Sequence, residues 1–191
     1  SMSGGAGVTF AGGMWLKGLL ATPVGTFFSP SVTLEAAVTV DPATVTEGTV
    51  ATVSGGYGPS LVITVGADGK PRARTWNVFT PGAWTASVIG ATAINDDLVH
   101  HLAATWNNST GTLALYVDGA SAGSVVSSAG TGRFEVNGDH VTVGGSTHTA
   151  TLTGTVSNVA VFDSVLSGAR IAEHASAILD GFTGETVTER I

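Results

Sequence analysis

Residues 98–119 read LVHHLAATWNNSTGTLALYVDG and contain two short apolar runs separated by a polar segment. The runs at residues 100–106 and 112–117 are rich in strand-forming residues and are bounded by Asn, Asp and Gly, which predicts two strands. The polar residues 107–110 between them are interpreted as a hairpin loop. The dipeptide Asp118-Gly119 then supplies the positive φ angles of a tight turn, so the second strand is predicted to pair antiparallel with a third.

The same strand pattern recurs along most of the chain. Apolar residues occupy every even position from Val32 to Val40 and alternate with mostly polar ones, which is typical of a strand with one buried face. Asp41-Pro42 ends this run, because proline cannot donate a hydrogen bond to a sheet. Asp68-Gly69 marks a second tight turn. Further strands are predicted at residues 49–54, 61–65, 71–78, 86–89, 122–126, 140–143 and 154–162.

One segment, residues 167–180, carries helical spacing, with Ile171 and Ala175 among the residues on its apolar face. Ser167 is predicted to cap the start of this helix, and Gly181 is predicted to follow its end. About ten strands with one late helix and no internal repeat predict an all-β fold. The expected architecture is a two-sheet antiparallel jelly-roll sandwich.

The composition supports a folded domain and excludes several classes of function. The 191 residues are 43% hydrophobic and 11% charged, and they fit one domain at 1–183 with a tail or linker stub at 184–191. Without cysteine there is neither a disulfide nor a thiolate metal site. A net charge of −7 with seven scattered Lys and Arg leaves no basic stripe for nucleic acid. The longest uncharged stretches, 98–117 and 140–162, are too polar to span a bilayer, so no membrane insertion is expected.

Residues 98–119 also carry a family resemblance. The segments HHLAAT at 100–105 and YVDG at 116–119 resemble the central signature of laminin-G-like domains in the concanavalin A-like lectin and glucanase superfamily. Residues 154–175, GTVSNVAVFDSVLSGARIAEHA, resemble the last strand of that family and the short helix after it. With weaker matches the resemblance spans residues 7–178, and it implies a concanavalin A-like jelly roll.

The resemblance implies a non-catalytic adhesion module that binds carbohydrate or a receptor. Its partner would be a glycan or a cell-surface receptor, and its location extracellular, on a phage tail or virion or on a bacterial surface. The alternative is a structural virion subunit, a decoration or tail protein that forms a homo-oligomer such as a trimer or binds other virion proteins. The apolar stretch at residues 8–28 would serve such an interface, although it would equally line the core.

Four residues are candidates for ligand binding. Sugar-binding surfaces present aromatic faces beside amide or carboxylate groups, because a pyranose ring has an apolar face and hydroxyl edges. The candidates are Trp84 in a predicted loop, Trp76 and Asn77 on the strand before it, and Tyr57 in the turn between two glycines. For Trp76 a core position and a surface position are equally open. Two further aromatic residues, Trp106 and Tyr116, are assigned to the core.

Calcium is the cofactor that the resemblance suggests. Many members of the family bind Ca²⁺ at the rim of the sandwich through Asp, Asn and backbone oxygens, the ligands that a hard cation prefers. The candidates are Asp96, Asp97, Asn137 and Asp139, all in predicted loops and without an EF-hand-like run.

A glycoside hydrolase is the remote alternative. A retaining glycosidase needs two carboxyl groups about 5 Å apart, and the closely spaced glutamates, Glu185 and Glu189, lie in the predicted tail. The question would reopen if Glu35 faced a groove with a second carboxylate nearby. His100 and His101 are adjacent strand residues that face opposite ways, so they are interpreted as framework rather than as ligands of one metal. The resemblance implies one ring near the core and the other toward solvent.

Overall fold

The computed structural model describes residues 8–10, 16–24, 31–44, 46–55, 58–76, 84–127, 138–145 and 150–183. Within these residues the chain forms twelve strands and one α-helix, which confirms the predicted all-β fold with one late helix. In chain order the elements are β1 (Val8–Phe10), β2 (Leu16–Val24), β3 (Val32–Val40), β4 (Gly48–Gly55), β5 (Gly58–Val65), β6 (Pro71–Trp76), β7 (Trp84–Ile89), β8 (Val99–Asn107), β9 (Thr112–Val117), β10 (Ala120–Val126), β11 (Gly138–Val143), β12 (Gly154–Phe162) and α1 (Gly168–Thr183).

Two six-stranded sheets form the sandwich. Sheet A has the strand order β1-β12-β3-β8-β9-β10, and sheet B has the order β2-β11-β4-β5-β6-β7. Every neighbouring pair of these strands is antiparallel, as the tight turns and the alternation predict. The stretch at residues 98–119 supplies β8 and β9, which are neighbouring interior strands of sheet A. The arrangement is a jelly-roll sandwich.

The core lies between the two sheets and follows the period-two pattern. The even positions of β3, from Val32 to Val40, are at most 1% exposed. Leu102 and Trp106 of β8 join them from the same sheet, and Leu61 of β5 joins them from sheet B. Because alternate side chains of a strand point to opposite faces, the odd positions of β3 lie on the outer face of sheet A.

Helix α1 lies on that outer face, where Ile171 and Ala175 are buried and where the helix contacts β8 and β10. It begins as predicted, since the backbone N–H of Arg170 donates to Ser167 Oγ at 3.2 Å. The predicted end before Gly181 is wrong, because α1 continues to Thr183. Gly181 does not adopt the positive φ of a helix-ending glycine.

The turn between β9 and β10 has the predicted tight geometry. Asp118 and Gly119 have φ angles of 51° and 78°, respectively, and glycine adopts such angles at little cost. A Cβ added to Gly119 would lie 2.8 Å from the Cα of Ala172, so α1 rests directly on this turn. Beyond the turn, the pairing of β10 with β9 shifts register between Ser121 and Gly123, which places a bulge in β10.

Three aromatic or acidic residues lie elsewhere than predicted. Trp84 begins β7 instead of lying in a loop, because pairing with β6 extends to the end of that strand. Asp139 belongs to β11, because the pairing of β11 with β2 reaches Gly138. Trp106 is buried as expected, but Tyr116 is half-buried, because it pairs with Ala103 on the outer face of sheet A.

The N-terminal stretch supplies one strand to each sheet. β1 lies at the edge of sheet A and β2 at the edge of sheet B, with Val8 43% and Leu16 49% exposed. Contact of this stretch with another subunit stays a prediction. Among the residues described, no helix combines the length and the apolar composition needed to cross a membrane.

Candidate functional site

The register of sheet B places two of the candidate tryptophans opposite each other. Trp76, the last residue of β6, pairs with Trp84, the first residue of β7. A register shift separates this pair from the pairing of Thr75 with Ala86. The two tryptophans therefore mark one end of the β6–β7 hairpin, which we name the tryptophan end of sheet B.

The neighbouring hairpin turns at the same end. Gly55 of β4 pairs with Gly58 of β5, and β5 lies beside β6. Tyr57 lies between these two glycines in the sequence, and Asn77 directly follows β6. Both residues lie outside the described part of the chain. The described ends of β4, β5 and β6 therefore meet at the tryptophan end.

The side chain of Arg74 is held by a carboxylate at the end of sheet B opposite to the tryptophan end. Arg74 is two residues before Trp76, and it is on the outer face of sheet B because its neighbour Ala73 belongs to the core. Its guanidinium pairs with both carboxylate oxygens of Glu47, with Nη2 3.2 Å from Oε2. A bidentate pair fixes the plane of the guanidinium, so Arg74 presents oriented donors.

Arg72 lies on the same outer face, two residues earlier on β6. Its Nη2 donates to the carboxylate of Asp68 at 3.0 Å, and its Nη1 donates to the carbonyl of Lys70 at 3.2 Å. The backbone N–H of Lys70, with help from Arg72, holds the pKa of Asp68 below its ordinary value. Both arginines of β6 are therefore positioned by carboxylates of the connections at the opposite end of sheet B.

Hydroxyl groups continue the polar character of this face. Thr52 Oγ1 lies 2.8 Å from Ser54 Oγ on β4 and 2.6 Å from Thr142 Oγ1 on β11. All three side chains are buried, and buried hydroxyls are stable because they satisfy one another. The outer face of sheet B thus carries buried hydroxyls at these positions beside the buried apolar Val62, whereas α1 lies on the outer face of sheet A.

His100 links two connections at the other end of the sandwich. Its Nδ1 lies 2.8 Å from Asp118 Oδ2, and its Nε2 lies 3.1 Å from Asp96 Oδ1. The hydrogen bond with Asp118 is the main reason that the pKa of His100 is raised, and Asp96 adds to it against the opposing effect of burial. Burial acts to raise the pKa of Asp118, but the hydrogen bonds from His100 and from the backbone of His101 outweigh it, so that pKa is lowered.

Among the calcium candidates, the backbone of Asp139 lies apart from Asp96 and Asp97. The backbone N–H of Asp97 donates to the carbonyl of Val40 at 3.3 Å, so Asp96 and Asp97 lie where β3 ends. Asp139 lies at the start of β11, beside the last residues of β4, and β4 begins where β3 ends. Asn137 lies outside the described residues. Within the described ranges, no group of three His, Asp or Glu side chains could hold a metal ion, and calcium binding stays a prediction.

Glu35 and two histidines form a buried cluster beneath α1. Nδ1 of His174 lies 2.9 Å from Glu35 Oε2, and Nε2 of His101 lies 3.9 Å from the same oxygen. Burial acts to raise the pKa of Glu35, but the two histidines outweigh it and the pKa is lowered. Glu35 therefore faces a helix and two imidazoles. It does not face a groove beside a second carboxylate, as a retaining glycosidase would require.

Comparison with known proteins identifies the family. A family model described as the concanavalin A-like lectin/glucanases superfamily matches residues 17–172. The chain belongs to this superfamily. No curated protein matches the sequence.

Solved structures with the same fold include several binding domains. The CBM40 domain of the Ruminococcus gnavus IT-sialidase, bound to α2,3 sialyllactose, matches this concanavalin A-like domain with a TM-score of 0.68 at 15% identity, over 88% of this chain and 96% of that one. The heptameric SAP-like pentraxin from Limulus polyphemus matches with a TM-score of 0.62 at 15% identity, over 88% and 80%. The binding domain of botulinum neurotoxin serotype D matches with a TM-score of 0.66 at 11% identity, over 90% of this chain and 42% of that one. At these identities the likeness shows the fold.

Sequence reasoning selected the tryptophans of this concanavalin A-like domain but missed two of its polar groupings. Arg74 could have been found, because the strand alternation places it on the outer face, two residues from Trp76. The contact of Glu35 with His174 joins residues 139 positions apart. No local sequence pattern predicts such a contact, since the contact depends on how α1 packs on sheet A.

Proposed function

We propose that this chain is a non-catalytic module that binds a glycan, free or on a receptor, at the tryptophan end of sheet B. The observation that carries the proposal is the pairing of Trp76 with Trp84 across the β6–β7 hairpin. Indole rings suit the apolar face of a pyranose, and their N–H groups suit its hydroxyls.

On sheet B, the proposed contact surface is limited to the tryptophan end, since the guanidinium of Arg74 is held by Glu47 at the opposite end of sheet B. The comparison structures add support, because one of them is a carbohydrate-binding domain bound to α2,3 sialyllactose.

A glycan array tests the proposal with the wild-type chain and with Trp76→Ala and Trp84→Ala. The wild type should bind a defined set of glycans, and each substitution should weaken binding by about tenfold or more, the usual effect of losing one aromatic stacking contact. Ile89→Ala is the matched control, since Ile89 is 51% exposed at the other end of the same strand. Its binding should equal that of the wild type. A wild type that binds none of the glycans would refute the proposal.

The proposal extends to where the module is displayed, on a bacterial surface or on a phage tail or virion. The alternative role as a structural virion subunit stays a prediction. Light scattering separates the two roles. A stable trimer that dissociates when residues 1–28 are removed would favour the structural role, and a monomer that binds glycan would favour the adhesion role.

A further inference from the structure

Ser127 joins the tryptophan end of sheet B to a loop of sheet A. Its backbone N–H donates to the carbonyl of Gly111 at 2.8 Å, and its Oγ donates to the carbonyl of Thr85 at 3.2 Å. Gly111 directly precedes β9, and Thr85 directly follows Trp84 in β7. The loop between β8 and β9 therefore lies beside the tryptophan end, with the buried Ser127 between them.

The loop between β8 and β9, residues 108–111, carries amide and hydroxyl groups. Asn107 Oδ1, at the end of β8, accepts hydrogen bonds from the hydroxyl of Ser109 at 2.7 Å and from the backbone N–H groups of Ser109 and Thr110 at 3.0 Å and 3.3 Å. These bonds hold the loop in a turn on which Ser109 and Thr110 are exposed. Hydroxyl groups both donate and accept hydrogen bonds, as the hydroxyls of a sugar do. The loop is therefore suited to contact an uncharged part of a glycan.

The sequence around this surface is uncharged over long stretches. Residues 48–67, 75–95 and 102–117 contain no Asp, Glu, Lys, Arg or His, and they include the strand ends that meet at the tryptophan end and the loop between β8 and β9. Arg74 is the cation closest to Trp76 in the sequence, but its guanidinium is bound to Glu47 at the opposite end of sheet B. A carboxylate placed at the tryptophan end would therefore not be neutralised by Arg74.

The other ionisable residues that the structure describes at this end of the sandwich are distant. Asp139 and His140 belong to β11, three strands from β6, and Asp163 follows β12, three strands from β9. Three strand spacings are about 14 Å, which exceeds the Debye length at physiological ionic strength. The segment 128–137 lies outside the described residues, and its Arg133 and Glu135 are opposite in charge. The net charge of −7 makes the approach of an anion less favourable still.

We propose that the tryptophan end, together with the loop at residues 108–111, binds uncharged glycans and discriminates against acidic ones. The inference rests on the proposed function and adds the substrate class, which is hexose or N-acetylhexosamine units without carboxylate or sulfate groups. An acidic sugar would give up hydration at a surface that offers it no counter-ion, which is unfavourable. A neutral sugar avoids this cost, because amide and hydroxyl groups replace the water that it displaces. The ligand would thus differ in charge from the α2,3 sialyllactose bound to the CBM40 domain, with which the chain shares the fold.

A glycan array of matched pairs tests the inference. The two members of each pair have the same length and linkage and differ only at C6, where the neutral member carries a hydroxymethyl group and the acidic member a carboxylate. In the pairs that the chain binds, the neutral member should bind at least about tenfold more tightly, because the carboxylate stays unpaired, and Trp84→Ala should weaken this binding. Equal or tighter binding of the acidic members would overturn the inference and leave the proposed glycan-binding function standing. A chain that binds neither member of any pair would overturn both.

Two lysine substitutions test whether the loop belongs to the surface. Thr110→Lys adds a cation to the loop, whereas Leu98→Lys adds one before the opposite end of β8, at a position that is 62% exposed. Both substitutions change the net charge equally, so only the position of the charge differs. Thr110→Lys should raise the affinity for the acidic member relative to the neutral one by about two- to fivefold, the strength of an exposed ion pair, and high salt should abolish this gain. Leu98→Lys should leave the ratio at its wild-type value. Equal ratios in the two variants would overturn the inclusion of the loop.

Discussion

His100 Nδ1 lies 2.8 Å from Asp118 Oδ2, and this contact joins the first residues of β8 to the turn between β9 and β10. The next residue, His101, points to the opposite side and is buried beneath α1. The two histidines thus belong to different environments, one at the rim and one under the helix. The opposite orientations expected from the sequence are confirmed, and the framework role stays a prediction.

Replacing His100 with Gln should destabilise the protein more at pH 5.5 than at pH 9. The pKa of His100 is raised in the folded state. Its contribution is therefore fully present below the unfolded pKa of about 6.5 and is lost as the pH rises through the folded value. The expected loss is about 1 kcal/mol at pH 5.5, where Asp96 and Asp118 are still ionised. Urea unfolding at the two pH values measures it, and a difference that grows with pH would contradict the assignment.

Gly119→Ala should destabilise the protein by about 1–3 kcal/mol, because it combines an unfavourable backbone angle with a clash. The φ angle of Gly119 is 78°, and the new Cβ would lie 2.8 Å from the Cα of Ala172. Gly181→Ala is the matched control, since nothing lies within 4 Å of its Cβ position. Alanine there should stabilise α1 by up to about 1 kcal/mol. Thermal and urea unfolding measure both variants, and equal effects would rule out α1 resting on this turn.

Leu102→Ala should cost about 2–5 kcal/mol of unfolding free energy, the range for removing a leucine from a close-packed core. Leu102 is 0% exposed on β8 between the two sheets. Leu98→Ala, four residues earlier at a position 62% exposed, should change stability by less than about 0.5 kcal/mol. Denaturant unfolding of both variants tests whether Leu102 belongs to the close-packed core. A cost at Leu102 as small as that at Leu98 would contradict this placement.

A double-mutant cycle on Arg74 and Glu47 should give a coupling energy of about 1 kcal/mol, because the pair is bidentate and partly shielded from solvent. The side chains of Arg74 and Glu47 are 17% and 36% exposed. The pair of Arg170 and Glu173, at 60% and 65% exposed, is the control, and its coupling should stay below about 0.5 kcal/mol. Similar couplings for both pairs would show that Arg74 is not held rigidly.

Most of the fold could be predicted from local pattern. The bounds of β3, β9 and β12 agree with the alternation of apolar residues, because a period of two leaves one register that buries them. The turn at Asp118 and Gly119 could be predicted, because these two residues tolerate the positive φ angles that a tight turn requires. The end of α1 was missed because Gly181 fits inside a helix at a modest energetic cost, so its presence does not force termination.

The candidate site was predictable only in part. Residue type and the predicted turns selected Trp76 and Trp84 as candidates. Their pairing could not be predicted, because Pro81-Gly82 just before Trp84 suggested that Trp84 lies in a loop and not at the start of a strand. The sequence predicts a loop at Asp139, because Asn137 and Gly138 directly before it are typical turn residues. Tertiary pairs such as Glu35 with His174 arise from helix docking and leave no local periodicity.

The register shift in β10 bears on whether the edge of sheet A can pair with another strand. β10 is an edge strand of sheet A, and Val125 and Val126 on it are 36% and 65% exposed. A regular, apolar edge of this kind would template pairing with another chain. The bulge between Ser121 and Gly123 interrupts the ladder of donors and acceptors that an incoming strand would need. One extra residue in a strand thus makes this edge a poorer template for pairing with another chain.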